Sequence, residues 1–158
     1  MPHSLLGKIV SGGQTGVDRA ALDVAIFLEI EHGGWCPHGR RAEDGRIPAR
    51  YFLKQTRARD YSVRTEKNVV ESDGTLILFH RGMAGGTELT RKMTLKHRRP
   101  VLCIDLETAT DVQETQFLQW IDKHHVKVLN VAGPRESTCT GIAKLAERFL
   151  VTALREIV

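Results

Sequence analysis

Three segments of this chain repeat one arrangement, in which an apolar strand runs through glycine into the start of a helix. Ser11-Gly12-Gly13-Gln14-Thr15-Gly16-Val17-Asp18 follows Lys8-Ile9-Val10, and His80 to Glu88, with Gly82, Gly85 and Gly86, follows Leu76-Ile77-Leu78-Phe79. Ala132-Gly133-Pro134-Arg135-Glu136-Ser137 follows Val128-Leu129-Asn130-Val131. If these strands are parallel, the three loops share one edge of a sheet. Glycine lets the main chain come close to a ligand, and a helix N-terminus presents unpaired N–H groups with partial positive charge. Such an edge is built to hold an anion, and a phosphate is the first candidate.

The intervening sequence supports a parallel sheet. Val17, Ala20, Ala21, Val24, Ala25 and Leu28 recur at helical spacing, with Thr15 as N-cap, Asp18 in capping-box position and Gly33 as the stop. Gly34 to Pro37 reads as a short second strand cut off by proline, and an arginine-rich loop follows through Pro48. A helix is expected from Ser62 to Asp73 and another from Thr87 to His97. Thr75 to Phe79, Val101 to Ile104 and Lys127 to Val131 read as apolar strands. Asp111 opens a helix with Val112, Leu118 and Ile121 inward, and Ile142, Leu145, Ala146, Phe149, Leu150, Ala153, Leu154 and Ile157 form the stripe of a last one. Alternation of this kind predicts an α/β, Rossmann-like, doubly wound domain: a mainly parallel five-stranded sheet with helices on both faces, spanning 1–158. Ligands of such sheets bind beyond the carboxyl ends of the strands.

The apolar runs fall far short of a membrane span, and Met1 to Gly7 lacks the pattern of a signal peptide, so a soluble cytoplasmic protein is expected. Three cysteines, with Cys103 inside a strand read as buried, suggest reduced thiols and no structural disulfide. Cys36 and His38 have no second Cys/His pair at ligand spacing, so no metal is assigned. A homo-oligomer is expected of a domain this size.

The first glycine loop is neither a dinucleotide fingerprint nor a Walker A loop, which needs a lysine and hydroxyl pair. Gly12, Gly13, Gln14, Thr15 and Gly16 offer N–H groups, a hydroxyl and an amide to an anion, or form a turn that merely needs glycine. Gly85, Gly86 and Thr87 form a second such loop. Glu88 either complements the helix dipole or binds a sugar hydroxyl and does acid–base work. Gly133, Arg135 and Ser137 complete the edge as charge partner and donor, or as an exposed loop with incidental charge. Arg40 and Arg64 belong to a cluster of positive charge between Arg40 and Lys67 in a chain of formal charge +4. That cluster attracts phosphates, from a small nucleotide to a nucleic acid, or is a solvated face interleaved with Glu43, Asp44, Asp60 and Glu66.

Taken together, several of these motifs resemble the putative molybdenum carrier proteins. The residues that carry the resemblance are Ser11 to Ala21, Gly34 to Pro37, Gly39 to Gly45, Arg64 to Val69, Ser72 to Ile77, Gly85 to Thr87 and Gly133 to Ser137. Those proteins are Rossmann-like and stand within a wider group of lysine-decarboxylase-like and DNA-processing-protein-like nucleotide-binding domains. The resemblance implies a binding or carrier protein whose ligand is the molybdenum cofactor, held by its pterin's phosphate, or a nucleotide. The related phosphoribohydrolases carry a Pro-Gly-Gly-x-Gly-Thr-x-x-Glu motif. Here Ala84 stands for that proline, the third glycine is missing and Glu88 follows Thr87 directly.

A small phosphate-bearing ligand on Gly12 to Gly16 and Gly85 to Thr87 is therefore expected, with Arg40, Arg64 and Arg135 as charge partners and Asp18 or Glu88 on a hydroxyl or ring N–H. The alternatives are a nucleoside-phosphate N-glycosidase in which Glu88 or Asp18 assists ribose departure, and a nucleic-acid binder using the arginine-rich segment.

Overall fold

A computed structural model describes residues 6–158. The signal-peptide reading of Met1 to Leu5 lies outside them. Five parallel strands form the main sheet: β1 (Lys8–Val10), β2 (Glu31–Gly33), β7 (Gly74–Phe79), β8 (Val101–Asp105) and β9 (Val128–Ala132), in the order β2-β1-β9-β7-β8. Between β2 and β7 the chain makes two small ladders. One joins β3 (Trp35–Cys36) to β6 (Lys54–Gln55), and the other is a hairpin of β4 (Arg41–Ala42) and β5 (Gly45–Arg46).

The helices are α1 (Val17–Phe27), α2 (Tyr61–Val70), α3 (Gly85–Lys96), α4 (Asp111–Lys123) and α5 (Ile142–Leu154). The strand order dictates where they lie. From β1 the chain steps outward to β2, and from β7 it steps outward to β8 in the opposite direction. Right-handed crossovers therefore put the intervening helices on opposite faces. Accordingly α1 packs with α5, and α5 with α4, whereas α2 packs with α3. The first layer is apolar: Ile9, Leu76, Leu78, Leu129 and Val131 meet Val17, Ala21, Phe117, Ile142, Phe149 and Leu150 in one buried cluster. Small polar groups dominate the buried residues of the other side, among them Thr75, Thr87, Thr90, Thr94, Asn68 and Asn130.

The doubly wound architecture matches the sequence reading, and several local expectations do not. The second strand of the sheet is Glu31–Gly33, not Gly34 to Pro37; Trp35 and Cys36 pair instead with Lys54 and Gln55. Glu31-His32-Gly33 is a short edge strand with no apolar run, so it left no hydropathy signal. Gly33 is consequently not the stop of α1, which closes at Leu28 and Glu29, the latter in the left-handed region at φ 58°. Thr15 does not cap α1 either; Gly16 does, at φ 81°. Cys103 is exposed because β8 is the opposite edge of the sheet. In α4 it is Phe117, Trp120 and Ile121 that are buried, while Val112 is 71% exposed.

Candidate functional site

The order in which strands are added across the sheet reverses between β1 and β7, with β9 inserted between them, and at such a switch point the loops beyond the carboxyl ends diverge and leave a crevice. A cavity of about 610 Å³ opens there. The loops after β1, β7 and β9 all border it, together with the start of α2. Of the residues singled out from sequence, Gly12, Gln14, Asp18, Arg64, Gly85, Gly86, Thr87, Gly133 and Arg135 line this space. Gly13, Thr15, Gly16, Arg40, Glu88 and Ser137 do not.

The three loops are chemically unequal. In the loop after β1 three successive N–H groups are used by the protein itself. Gly13 N–H donates to Ser11 Oγ at 3.4 Å, Gln14 N–H to Asp18 Oδ2 at 3.3 Å and Thr15 N–H to Gln14 Oε1 at 3.1 Å. The start of α1 is closed as well, since Val17 N–H donates to the Pro134 carbonyl at 3.2 Å and Asp18 supplies negative charge in the first turn. Gly16 is required by packing: a Cβ there would stand 2.2 Å from the Pro134 oxygen.

The loop after β7 is different. Helix α3 begins at Gly85 with no side-chain cap, and a Cβ at Gly82, Gly85 or Gly86 would meet nothing within 4 Å. Gly86 in particular has neither a positive φ nor a neighbour to explain it. By contrast α2, whose first residues also border the cavity, is capped by Asp60, which accepts from Ser62 N–H at 2.9 Å. At the start of α3 Thr87 N–H turns back to the Ala84 carbonyl at 3.2 Å, and the N–H groups of Gly85 and Gly86 have no acceptor among the described residues.

The loop after β9 is mostly structural. Glu136 caps α5 by accepting from Gly141 N–H at 2.6 Å and Ala143 N–H at 3.1 Å. Ser137 donates from Oγ to Glu43 at 2.5 Å and from N–H at 3.2 Å, and Thr15 Oγ1 donates to the same carboxylate. Glu43 thus ties the hairpin between β4 and β5 to two of the loops, and these hydrogen bonds hold its carboxyl below the ordinary glutamate range. Nothing in the spacing of Glu43 marked it; its partners are 28 and 94 residues away.

Positive charge reaches the cavity from Arg64 and Arg135, both of which also stand over the Tyr61 ring, at 5.3 Å and 6.0 Å. Arg40, expected as a charge partner, does not line the cavity. It is buried, and its guanidinium donates to the carbonyls of Ile47, Pro48, Tyr51 and Leu53, so it organises the arginine-rich loop from within. Glu88 lies outside the cavity, held by Arg91 Nη2 at 2.6 Å and Nε at 3.0 Å, and that pairing lowers its pKa.

Asp18 and Gln14 both line the cavity. Asp18 is 7% exposed, and burial pushes its carboxyl up to about 6, against the pull of Arg64, Arg19 and Arg135. The carboxylate accepts one long hydrogen bond, from Gln14 N–H. Gln14 is 5% exposed; its Oε1 takes Thr15 and Glu43 N–H groups, and its Nε2 is the buried side-chain donor without a partner among the described residues. Tyr61, Asn130, Thr138 and Cys139 also line the cavity and were not singled out from sequence. Asp60 two residues before Ser62, an N-cap pattern, was the one signal that would have pointed to Tyr61.

No curated protein matches the chain. Among solved structures, that of a protein titled putative molybdenum carrier protein, from Syntrophus aciditrophicus SB, is 45% identical, with a TM-score of 0.94 and 96% of each chain covered. Residues 9–154 match one family model, so nearly the whole described fold is accounted for by it. The chain belongs to the circularly permutated YpsA SLOG family.

Proposed function

We propose that this protein binds or carries a small phosphate-bearing ligand, molybdenum-cofactor-like or nucleotide-like, at the carboxyl edge of its sheet. The observation that carries the reading is the uncapped start of α3, where Gly85 and Gly86 border open space. The N–H groups of Gly85 and Gly86 there suit a phosphate, and Arg64 and Arg135, which line the same cavity, add countercharge. The loop after β1 then serves the rest of the ligand, since most of its own N–H groups are already engaged. A volume of about 610 Å³ suits a mononucleotide or a substituted pterin.

The naming of the structural neighbour as a putative molybdenum carrier supports the same reading. Among the described residues no group of three His, Cys, Asp or Glu could hold a metal ion. A molybdenum-bearing ligand would accordingly be gripped through its phosphate and ring, whose chemistry the cavity matches. Native mass spectrometry of freshly purified protein, with phosphorus NMR of whatever small molecule is released, tests the proposal. A phosphate-bearing mass is the expected result; a co-purified ligand without phosphate would reject it.

One observation favours a second reading, hydrolysis of a nucleoside phosphate: Asp18 is a buried, cavity-lining carboxyl whose pKa is raised to about 6, suited to proton transfer near neutrality. Glu88 has no comparable position. Release of free base from nucleoside monophosphates, lost in Asp18→Asn, would establish turnover, and its absence removes this reading.

A further inference from the structure

Asp18 lines the cavity and lacks the partners that a buried carboxylate requires. It is more than nine-tenths buried, and its carboxylate accepts a single long hydrogen bond, from Gln14 N–H to Oδ2. The Gln14 amide is turned away, its Oε1 toward the Thr15 and Glu43 N–H groups and its Nε2 closed off from the cavity. Leaving the carboxylate unmet costs free energy in the empty protein, and a ligand edge with complementary donors recovers it.

An ionised carboxylate with free lone pairs on both oxygens takes two adjacent donors best. A ring that presents N–H and NH2 side by side matches the Asp18 carboxylate. That is the 2-amino-4-oxopyrimidine edge shared by guanine and pterin. Adenine presents one amino donor and no ring N–H on the corresponding edge, and hypoxanthine lacks the amino group.

We propose that Asp18 reads the 2-amino-4-oxopyrimidine edge of the ligand, accepting from its ring N–H and its amino group. The assignment rests on the phosphate-binding reading above, because a phosphate held at the start of α3 leaves Asp18, which lines the same cavity, to the ring. Charged groups around Asp18 come from each neighbouring element: Arg19 on its own helix, Arg64 from α2 and Arg135 from the loop after β9. All three favour the ionised acceptor that the edge needs.

Calorimetric titration at pH 7.5 with guanosine, inosine and adenosine monophosphates and with neopterin monophosphate tests this. Guanosine monophosphate should bind about ten- to hundredfold more tightly than the inosine and adenosine compounds, the factor expected for hydrogen bonds to a charged acceptor. Neopterin monophosphate separates the two sources of the edge: tighter binding than guanosine monophosphate assigns the site to pterins, weaker binding to guanine nucleotides. In Asp18→Asn the side chain presents an N–H toward the position of the amino group, so preference should move to xanthosine monophosphate, which has a carbonyl there. A merely structural Asp18 would not produce that exchange. Equal affinity for guanosine and adenosine monophosphates, or no gain for xanthosine monophosphate in Asp18→Asn, overturns the edge assignment and leaves phosphate binding intact. Failure of every probe to bind overturns both.

Discussion

Arg64 donates from Nη1 to the carbonyl oxygen of Gly12 at 2.7 Å, and its guanidinium lies where a side chain on Gly12 would begin, 2.3 Å from the position of a Cβ. The first glycine of the loop after β1 is thus kept bare by an arginine of the protein and not by a ligand. The same arginine brings positive charge to the cavity, so the two residues couple the shape of the loop to the electrostatics of the site.

Replacement of Gly12 by alanine should displace Arg64 while the fold survives, at a cost of about 1–3 kcal/mol in urea denaturation, with weakened phosphate-ligand affinity. Gly16→Ala meets backbone instead of a side chain and sits at positive φ, so its cost should be larger and should appear as a lower midpoint without ligand. Equal stability losses in the two variants would contradict this distinction.

Asp18 predicts an unusual pH dependence. Its folded pKa of about 6 lies above the ordinary value of 3.8, so the folded state binds the proton more tightly than the unfolded chain. Stability from this group is greatest below the unfolded value and falls as pH rises through about 6, by up to about 3 kcal/mol. Asp18→Asn removes that penalty. The empty variant should melt higher than the wild type at pH 8, and the difference should shrink as pH falls toward 4, as read by thermal denaturation across that range.

Glu43 should behave in the opposite sense. Its folded pKa is lowered, chiefly by the Ser137 and Thr15 hydroxyl hydrogen bonds, so the stability it contributes is present above its ordinary range and is lost on acidification through the folded value. Glu43→Ala frees the hairpin from the loops after β1 and β9. Tryptic cleavage within the arginine-rich segment should become faster, and stability at pH 7 should fall by about 1–3 kcal/mol.

Arg40→Lys keeps the charge and loses the fork that serves four carbonyls. We expect a drop in midpoint of the urea transition with ligand affinity unchanged once the protein is folded. A loss of affinity without a loss of stability would instead return Arg40 to the binding surface.

The sheet and its glycine-loop rim were legible because β7 and β9 are apolar runs ending in glycine loops, a pattern tied directly to a buried parallel sheet. The strand Glu31–Gly33 was not, since an edge strand of three residues needs no apolar face. In the site, glycines identified the rim but not its division of labour. Whether a glycine serves packing, as Gly16 does, or borders a cavity, as Gly86 does, depends on residues distant in sequence. The role of Glu43 was hidden for the same reason, and that of Arg40 because backbone carbonyls 7 to 13 residues away leave no mark in the residue types.

The central claim is that the start of α3 holds the ligand's phosphate, and Gly86→Leu addresses it most directly. The substitution fills open space without a clash, and leucine favours the helix, so thermal stability should match or exceed that of the wild type. Calorimetric titration of wild type and variant with guanosine monophosphate should then give binding in the wild type and a loss of about tenfold or more in Gly86→Leu. Unchanged affinity in a fully folded Gly86→Leu variant would contradict the account.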